Sequence, residues 1–154
     1  YSSIYGVGAK KLAREMRTSV AKAALMLEAY WERNWAIKKL AEDQLVRTIN
    51  GQMWLFNPVS KFWYSLRYQK DIFSTLNQGT GVFCFDTWVG FILEKRPQIT
   101  AQFHDEVVLE IKKGYREKAE EMLFEALDKT NKALKLNVQL GISVDFGNTY
   151  ADIH

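Results

Sequence analysis

Pro97 divides the chain into two kinds of hydrophobic pattern, and that switch constrains the fold more than any other feature. Before it, apolar residues recur three and four positions apart; after it, they alternate. Ile99, Ala101, Phe103, Val107, Leu109 and Ile111 fall on odd positions, while Thr100, Gln102, His104, Glu106 and Glu110 fall on even ones. Period two marks a sheet with one buried face, so helical and alternating runs in separate parts of one chain predict an α+β architecture. Asp105 breaks the pattern by standing on the apolar register. In a straight strand its carboxylate would face the core, at a cost of several kcal/mol. The expected solution is a hairpin whose tight turn contains His104-Asp105 and lifts the carboxylate to the sheet edge.

The rest of the chain follows the same logic. Residues 8–17 predict a short helix with Lys10, Arg14 and Arg17 on one face. That basic stripe could bind phosphates or be a solvated helix face. Thr18 and Ser19 are suitable N-caps for a helical pattern over 20–46, with a break near Asn34 and with Leu27, Trp31 and Trp35 in one stripe. Asn50-Gly51 stands between two β-prone runs, 46–49 and 53–56, and predicts a hairpin. Residues 59–66 are ambiguous. A long helix is expected over 67–94, with Ile72, Phe73, Leu76, Val82 and Phe83 on its buried side. Gly79 and Gly81 inside it each cost about 1 kcal/mol relative to Ala, so close approach of another group to the backbone is expected there. After Pro97 come the hairpin, a helix over 115–134 with Ala119, Met122, Leu123, Ala126 and Leu127 at core spacing, and a last strand over 138–146.

Composition narrows the class. Nearly half of the 154 residues are hydrophobic and the formal net charge is +3, which suits a globular domain and permits nucleic-acid binding. The one cysteine, Cys84, excludes an internal disulfide and fits a reducing compartment, as a small buried residue. No apolar run reaches the roughly 20 residues of a membrane span. The tryptophans at 31, 35, 54, 63 and 88 suit a core better than base stacking. A first residue other than Met leads us to expect a fragment, a processed product or one piece of a divided protein.

The chemistry centres on Gln102-Phe103-His104-Asp105-Glu106-Val107-Val108-Leu109-Glu110. Carboxylates fixed at the tip of a hairpin are what a hard cation such as Mg²⁺ needs, with water and phosphate oxygens completing its coordination. By itself the triplet could equally be a polar turn. This stretch, however, resembles the palm motif of family A DNA polymerases, the group of bacterial DNA polymerase I and several phage replicative enzymes. Leu76-Asn77-Gln78-Gly79-Thr80 is similar to the helix of that family that lies against the primer–template. Tyr1-Ser2-Ser3-Ile4-Tyr5-Gly6, with Gly8-Ala9 and Leu12-Ala13-Arg14-Glu15, resembles the end of the fingers helix and the short helix after it. The ending, 147–154, is similar to that of the phage branch. The motifs stand in the family's order and cover nearly the whole chain.

The resemblance implies a fold and a set of roles. The fold would be a helical fingers/palm segment followed by a β-hairpin–helix–strand half of a polymerase palm. The divisions would be 1–17, the end of the fingers helix and the short helix; 18–95, a helical segment with a hairpin near 46–56; and 96–154, the C-terminal palm. Asp105 would be the metal-binding catalytic aspartate and Glu106 its acidic neighbour. His104 would lie near the primer's last nucleotide, and Gln78 would contact the minor groove, whose acceptors are shared by all base pairs. Ser74, where the family often has Asn, and Lys70, often Arg, would contact the nucleic acid. Lys at that position loses the bidentate reach of Arg. Arg14 would add a phosphate contact, and Tyr1 and Tyr5 would pack by the incoming nucleotide and the template. His154 is a further candidate without an assigned role.

The resemblance also implies what lies elsewhere. In the family a second metal-binding aspartate and the Arg and Lys that grip the triphosphate precede the position of Tyr1. The expected function is therefore the C-terminal part of a DNA-directed DNA polymerase, a nucleotidyltransferase of DNA replication. It would work by two Mg²⁺ ions and be active only with an upstream palm/fingers polypeptide. The expected partners are a DNA primer–template and deoxynucleoside triphosphates, with no membrane, in the cytoplasm (the host's, if of phage origin). A non-catalytic DNA-binding module, a single-subunit RNA polymerase fragment and a metal-dependent nuclease are the alternatives.

Overall fold

The computed structural model describes residues 3, 4 and 6–154. The chain divides into two compact units, Tyr1–Thr80 and Gly81–His154.

The first unit opens with α1 (Ala9–Glu15), shorter than the expected 8–17. Arg17 therefore lies beyond the helix, with φ 50°, and does not extend the stripe of Lys10 and Arg14. Leu12 and Ala13 bury against Ala23 of α2 (Val20–Arg33). The start of α2 is capped by the Ser19 side chain, which accepts from the Lys22 amide at 3.2 Å. At Asn34 the helix ends: its side-chain amide donates to the Tyr30 carbonyl at 2.8 Å, and α3 (Trp35–Glu42) begins anew. That break removes Trp35 from the predicted apolar stripe and leaves it 64% exposed, while Leu27 and Trp31 remain half-buried.

Two strands follow, β1 (Val46–Ile49) and β2 (Gln52–Phe56), paired antiparallel with Ile49 opposite Gln52. Asn50 at φ 51° and Gly51 at φ 77° make the reversal, which is why this dipeptide signalled a hairpin. The ambiguous stretch supplies a third strand, β3 (Trp63–Leu66), antiparallel to β2, in the order β1-β2-β3. Asn57 organises the loop between β2 and β3. Fully buried, it accepts from the amides of Val59 (2.9 Å) and Ser60 (3.2 Å) and donates to Thr80 Oγ1 at 2.9 Å. Leu55, Leu66 and Ile72 form the core beneath the sheet.

A bend at 67–68 and a 3₁₀ turn, Gln69–Asp71, occupy the residues where the long helix is expected to start, so α4 runs over Ile72–Leu93. Gly79 meets the expected close approach: a Cβ there would lie 2.9 Å from Tyr64 Cζ. Gly81 does not, since a Cβ there would meet nothing within 4 Å. Val82, expected on the buried side, is 57% exposed.

In the second unit, β4 (Gln98–Phe103) and β5 (Glu106–Glu110) form a two-stranded antiparallel sheet, followed by α5 (Arg116–Leu134). Trp88, Val89 and Ile92 of α4 pack with Leu123, Ala126 and Leu127 of α5. Ile99, Val107 and Leu109 of the sheet cover that cluster, as do Leu140, Ile142 and Val144 after α5.

The last predicted strand, 138–146, is not formed. Its residues alternate as a strand would, with Leu140, Ile142, Val144 and Phe146 half-buried and the residues between them exposed. They lack the other requirement, a neighbouring backbone to pair with. Among the described residues, the amides and carbonyls of 141–147 make no hydrogen bond. The amphipathic pattern was sound, but a ladder is a property of two segments. Among the described residues no helix is long and apolar enough to cross a membrane.

Candidate functional site

Phe103 and Glu106 are the last cross-strand pair of the β4–β5 hairpin, so His104 and Asp105 are its entire loop. His104 takes φ 48°, a conformation that bulky L residues seldom adopt without compensation. Both loop residues are exposed. The turn therefore does what the sequence required: it takes Asp105 out of the apolar register and presents its carboxylate at the sheet's end.

Glu106 is placed differently. It is half-buried, and its Oε1 lies 3.1 Å from Nε2 of His154. The Tyr150 ring stacks against His154 with centroids 4.3 Å apart and lies 6.3 Å from the Phe103 ring. His154 is thus brought to the hairpin across 48 residues of sequence. No local pattern signals such a contact, and Tyr150 was missed for the same reason.

Beside the carboxylates runs a cleft of ≈ 1240 Å³. Asp105, Glu106 and Val108 line one flank, Ile142 and Val144 the other, with Leu123 between. Among the described residues β5 pairs with β4 alone, and the segment 141–147 makes no backbone hydrogen bond. Residues of both pack on the cluster formed by α4 and α5.

Asp105 offers hard oxygen donors with no competing partner among the described residues, which suits Mg²⁺. No cluster of three or more His, Cys, Asp or Glu side chains able to hold a metal occurs among the described residues. Asp105 and Glu106 fit such an ion as part of a site whose remaining ligands are water, phosphate oxygens or another segment.

Apart from His104, the nucleic-acid candidates belong to the first unit. Ser74 and Gln78 lie one turn apart on α4 and share a face; Gln78 is exposed. The Ser74 hydroxyl donates to the Asp71 carbonyl at 3.0 Å, so it is already engaged at the start of the helix. Lys70 sits in the 3₁₀ turn before α4, with its stem against Gly6 and its ammonium 5.8 Å from the Tyr68 ring centre. Arg14 is exposed in the last turn of α1. Tyr1 and Tyr5 lie outside the described residues. Cys84 is buried, and burial raises its thiol pKa, which fits an inert core residue. Among the tryptophans Trp88 is core, whereas Trp63 lies under the Arg47 guanidinium at 5.1 Å.

No protein-family model matches the chain, and no curated protein does. Among solved structures it is similar to the POL domain of Pol1 from M. smegmatis, determined in complex with DNA primer-template and dNTP. The TM-score is 0.71 at 20% identity, over 99% of this chain and 29% of that one. The chain therefore has a polymerase-like α+β fold, and it spans under a third of the length of the structure it matches.

Proposed function

We propose that this chain is the C-terminal fingers and palm portion of a template-directed DNA polymerase of the family A type, in its phage branch. It would act with an upstream polypeptide that carries the second aspartate and the basic grip on the triphosphate. The observation that carries this reading is Asp105, an exposed carboxylate at the apex of a two-residue hairpin loop. The likeness in fold to a polymerase domain supports it. The cleft lined by Asp105 and Glu106 leaves space for a partner segment beside the site.

Magnesium, when bound, would activate the primer 3′-hydroxyl and neutralise charge on the triphosphate. Asp105 would hold an ion through its carboxylate, fixed by the paired strands on either side. Glu106 would add negative charge next to it, and His104 would meet the primer end. Gln78 would donate to minor-groove acceptors common to all base pairs, checking pair geometry without reading sequence. Lys70 and Arg14 would contact phosphates, Ser74 would flank Gln78 at shorter reach, and Tyr1 and Tyr5 would pack by the nucleotide and template.

The test is primer extension with the chain alone and with the upstream palm/fingers polypeptide added, using deoxyribo- and ribonucleotides in parallel. Magnesium-dependent incorporation of deoxyribonucleotides in the mixture alone is expected. Robust extension by the chain by itself would end the divided-site reading. Preference for ribonucleotides would move it to RNA synthesis. Salt-dependent DNA binding with no extension in either case would leave a non-catalytic binding module.

A further inference from the structure

Residues 147–154 close on themselves before they reach the hairpin. Asp152 accepts from the amides of Asn148 and Thr149, both at 2.8 Å, and with Thr149 completes a capping box around the 3₁₀ turn Tyr150–Asp152. A Cβ at Gly147 would fall 2.5 Å from Asp152 Cβ and 3.0 Å from the Thr149 carbonyl, so this turn admits only glycine there. The preformed turn then presents two groups to the hairpin: the Tyr150 ring to Phe103, and His154 Nε2 to Glu106. Phe103 and Glu106 are cross-strand partners, so their side chains leave the same face of the hairpin, one from each strand. Between them in sequence lie only His104 and Asp105.

We propose that residues 147–154 are a strap that sets the tip of the β4–β5 hairpin, with His154 as a positioning residue acting through Glu106. The strap grips both members of the pair that closes the loop, and so holds the tip in which His104 is left-handed. It also occupies Oε1 of Glu106, holding that carboxylate by a hydrogen bond from the imidazole and leaving Asp105 as the carboxylate free to take a cation. The strap stands on the contacts alone; that the tip it holds is a metal site rests on the proposed function.

Amide hydrogen exchange on the full chain tests the strap. His154→Ala should speed exchange at residues 103–106 by about fivefold to tenfold, the loss of one half-exposed hydrogen bond and the stacking behind it, with α5 unchanged. His154→Gln, which keeps an N–H donor, should restore protection. In a Glu106→Gln background, His154→Ala should add less than in the wild type, because the two act as a pair. Unchanged exchange at the tip, equal acceleration in α5, or no rescue by His154→Gln would each overturn the strap. Titration with Mn²⁺ of the chain assembled with the upstream palm/fingers polypeptide reads the metal site separately. His154→Ala should weaken binding by about tenfold, as loss of a supporting contact does. A wild-type assembly that binds no Mn²⁺ while the exchange pattern holds would overturn the metal site and keep the strap.

Discussion

The hairpin of β1 and β2 reverses through Asn50 and Gly51, both at positive φ, whereas that of β4 and β5 reverses through His104 and Asp105, of which His104 alone is left-handed. The first loop uses the residues that tolerate its backbone best, and its register runs without interruption from Val46 opposite Leu55 to Ile49 opposite Gln52. The second has a β-bulge between Ile99 and Ala101 and carries an imidazole where glycine would be easier. The ends of the hairpins also differ. Beyond β2, the fully buried Asn57 ties the chain to α4 through its bond to Thr80. At the tip of β4–β5 the tie is the half-exposed pair of His154 and Glu106. One hairpin is built for stability; the other accepts strain and exposure in order to aim a carboxylate.

That contrast can be broken or sharpened by measurement. The largest effect should come from Asp105→Asn. If the second tip is chemical, primer extension by the assembled enzyme should fall by about three orders of magnitude or more, the loss of several kcal/mol of charge stabilisation. The thermal midpoint should barely move, because the side chain is exposed. Asn50→Asp, the reverse change in charge at the first tip, should leave extension intact; equal losses would erase the distinction.

Next in size, Asn57→Ala should destabilise the first unit by about 2–3 kcal/mol in urea unfolding, because it strands the amides of half-buried Val59 and buried Ser60. A value under about 0.5 kcal/mol, the scale of an ordinary surface change, would remove Asn57 as the anchor of that hairpin.

The two loops should then respond in opposite directions. Gly51→Ala forces an L side chain into φ 77° and should cost roughly 1–2 kcal/mol. His104→Gly relieves the same kind of strain and should stabilise by about 0.5–1 kcal/mol while lowering activity. Equal signs would mean that the second tip is not strained.

The smallest effect concerns acid. Hydrogen bonds from the Thr149 and Asn148 amides hold the Asp152 carboxyl below its ordinary value of 3.8. A depressed native pKa gives stability that is present above the unfolded value and lost as pH falls through the folded one. Protection factors in 147–154, corrected for the intrinsic pH dependence of exchange, should therefore be flat at neutral pH and fall on the acid side of pH 3.8, before those of the core. Loss of protection near pH 6 would point to another group.

What was legible in the sequence is what neighbouring residues decide. Asn50-Gly51 forms its hairpin because two adjacent residues tolerate positive φ. The helix α5 follows from its 3.6-residue apolar period, and the departure of Asp105 from the core register follows from the cost of burying a charge. Ser19 capped its helix for equally local reasons. The errors fall where a second segment has a vote. Residues 138–146 have the pattern of a strand and, among the described residues, no partner to pair with. Val82 has the spacing of a core residue yet is 57% exposed, and Trp35 left its stripe when Asn34 turned the helix. Tyr64 decides that Gly79 must lack a side chain, while Gly81, two residues on, has open space.

The sequence by itself determined the α+β class, the hairpin loops and the carboxylate at the second tip, because periodicity, backbone tolerance and desolvation act over a few residues. Only the tertiary structure decided that His154 meets Glu106, that Tyr64 seats on Gly79, and that a cleft opens beside Asp105. Those depend on distances between segments far apart in the chain, which no local pattern encodes.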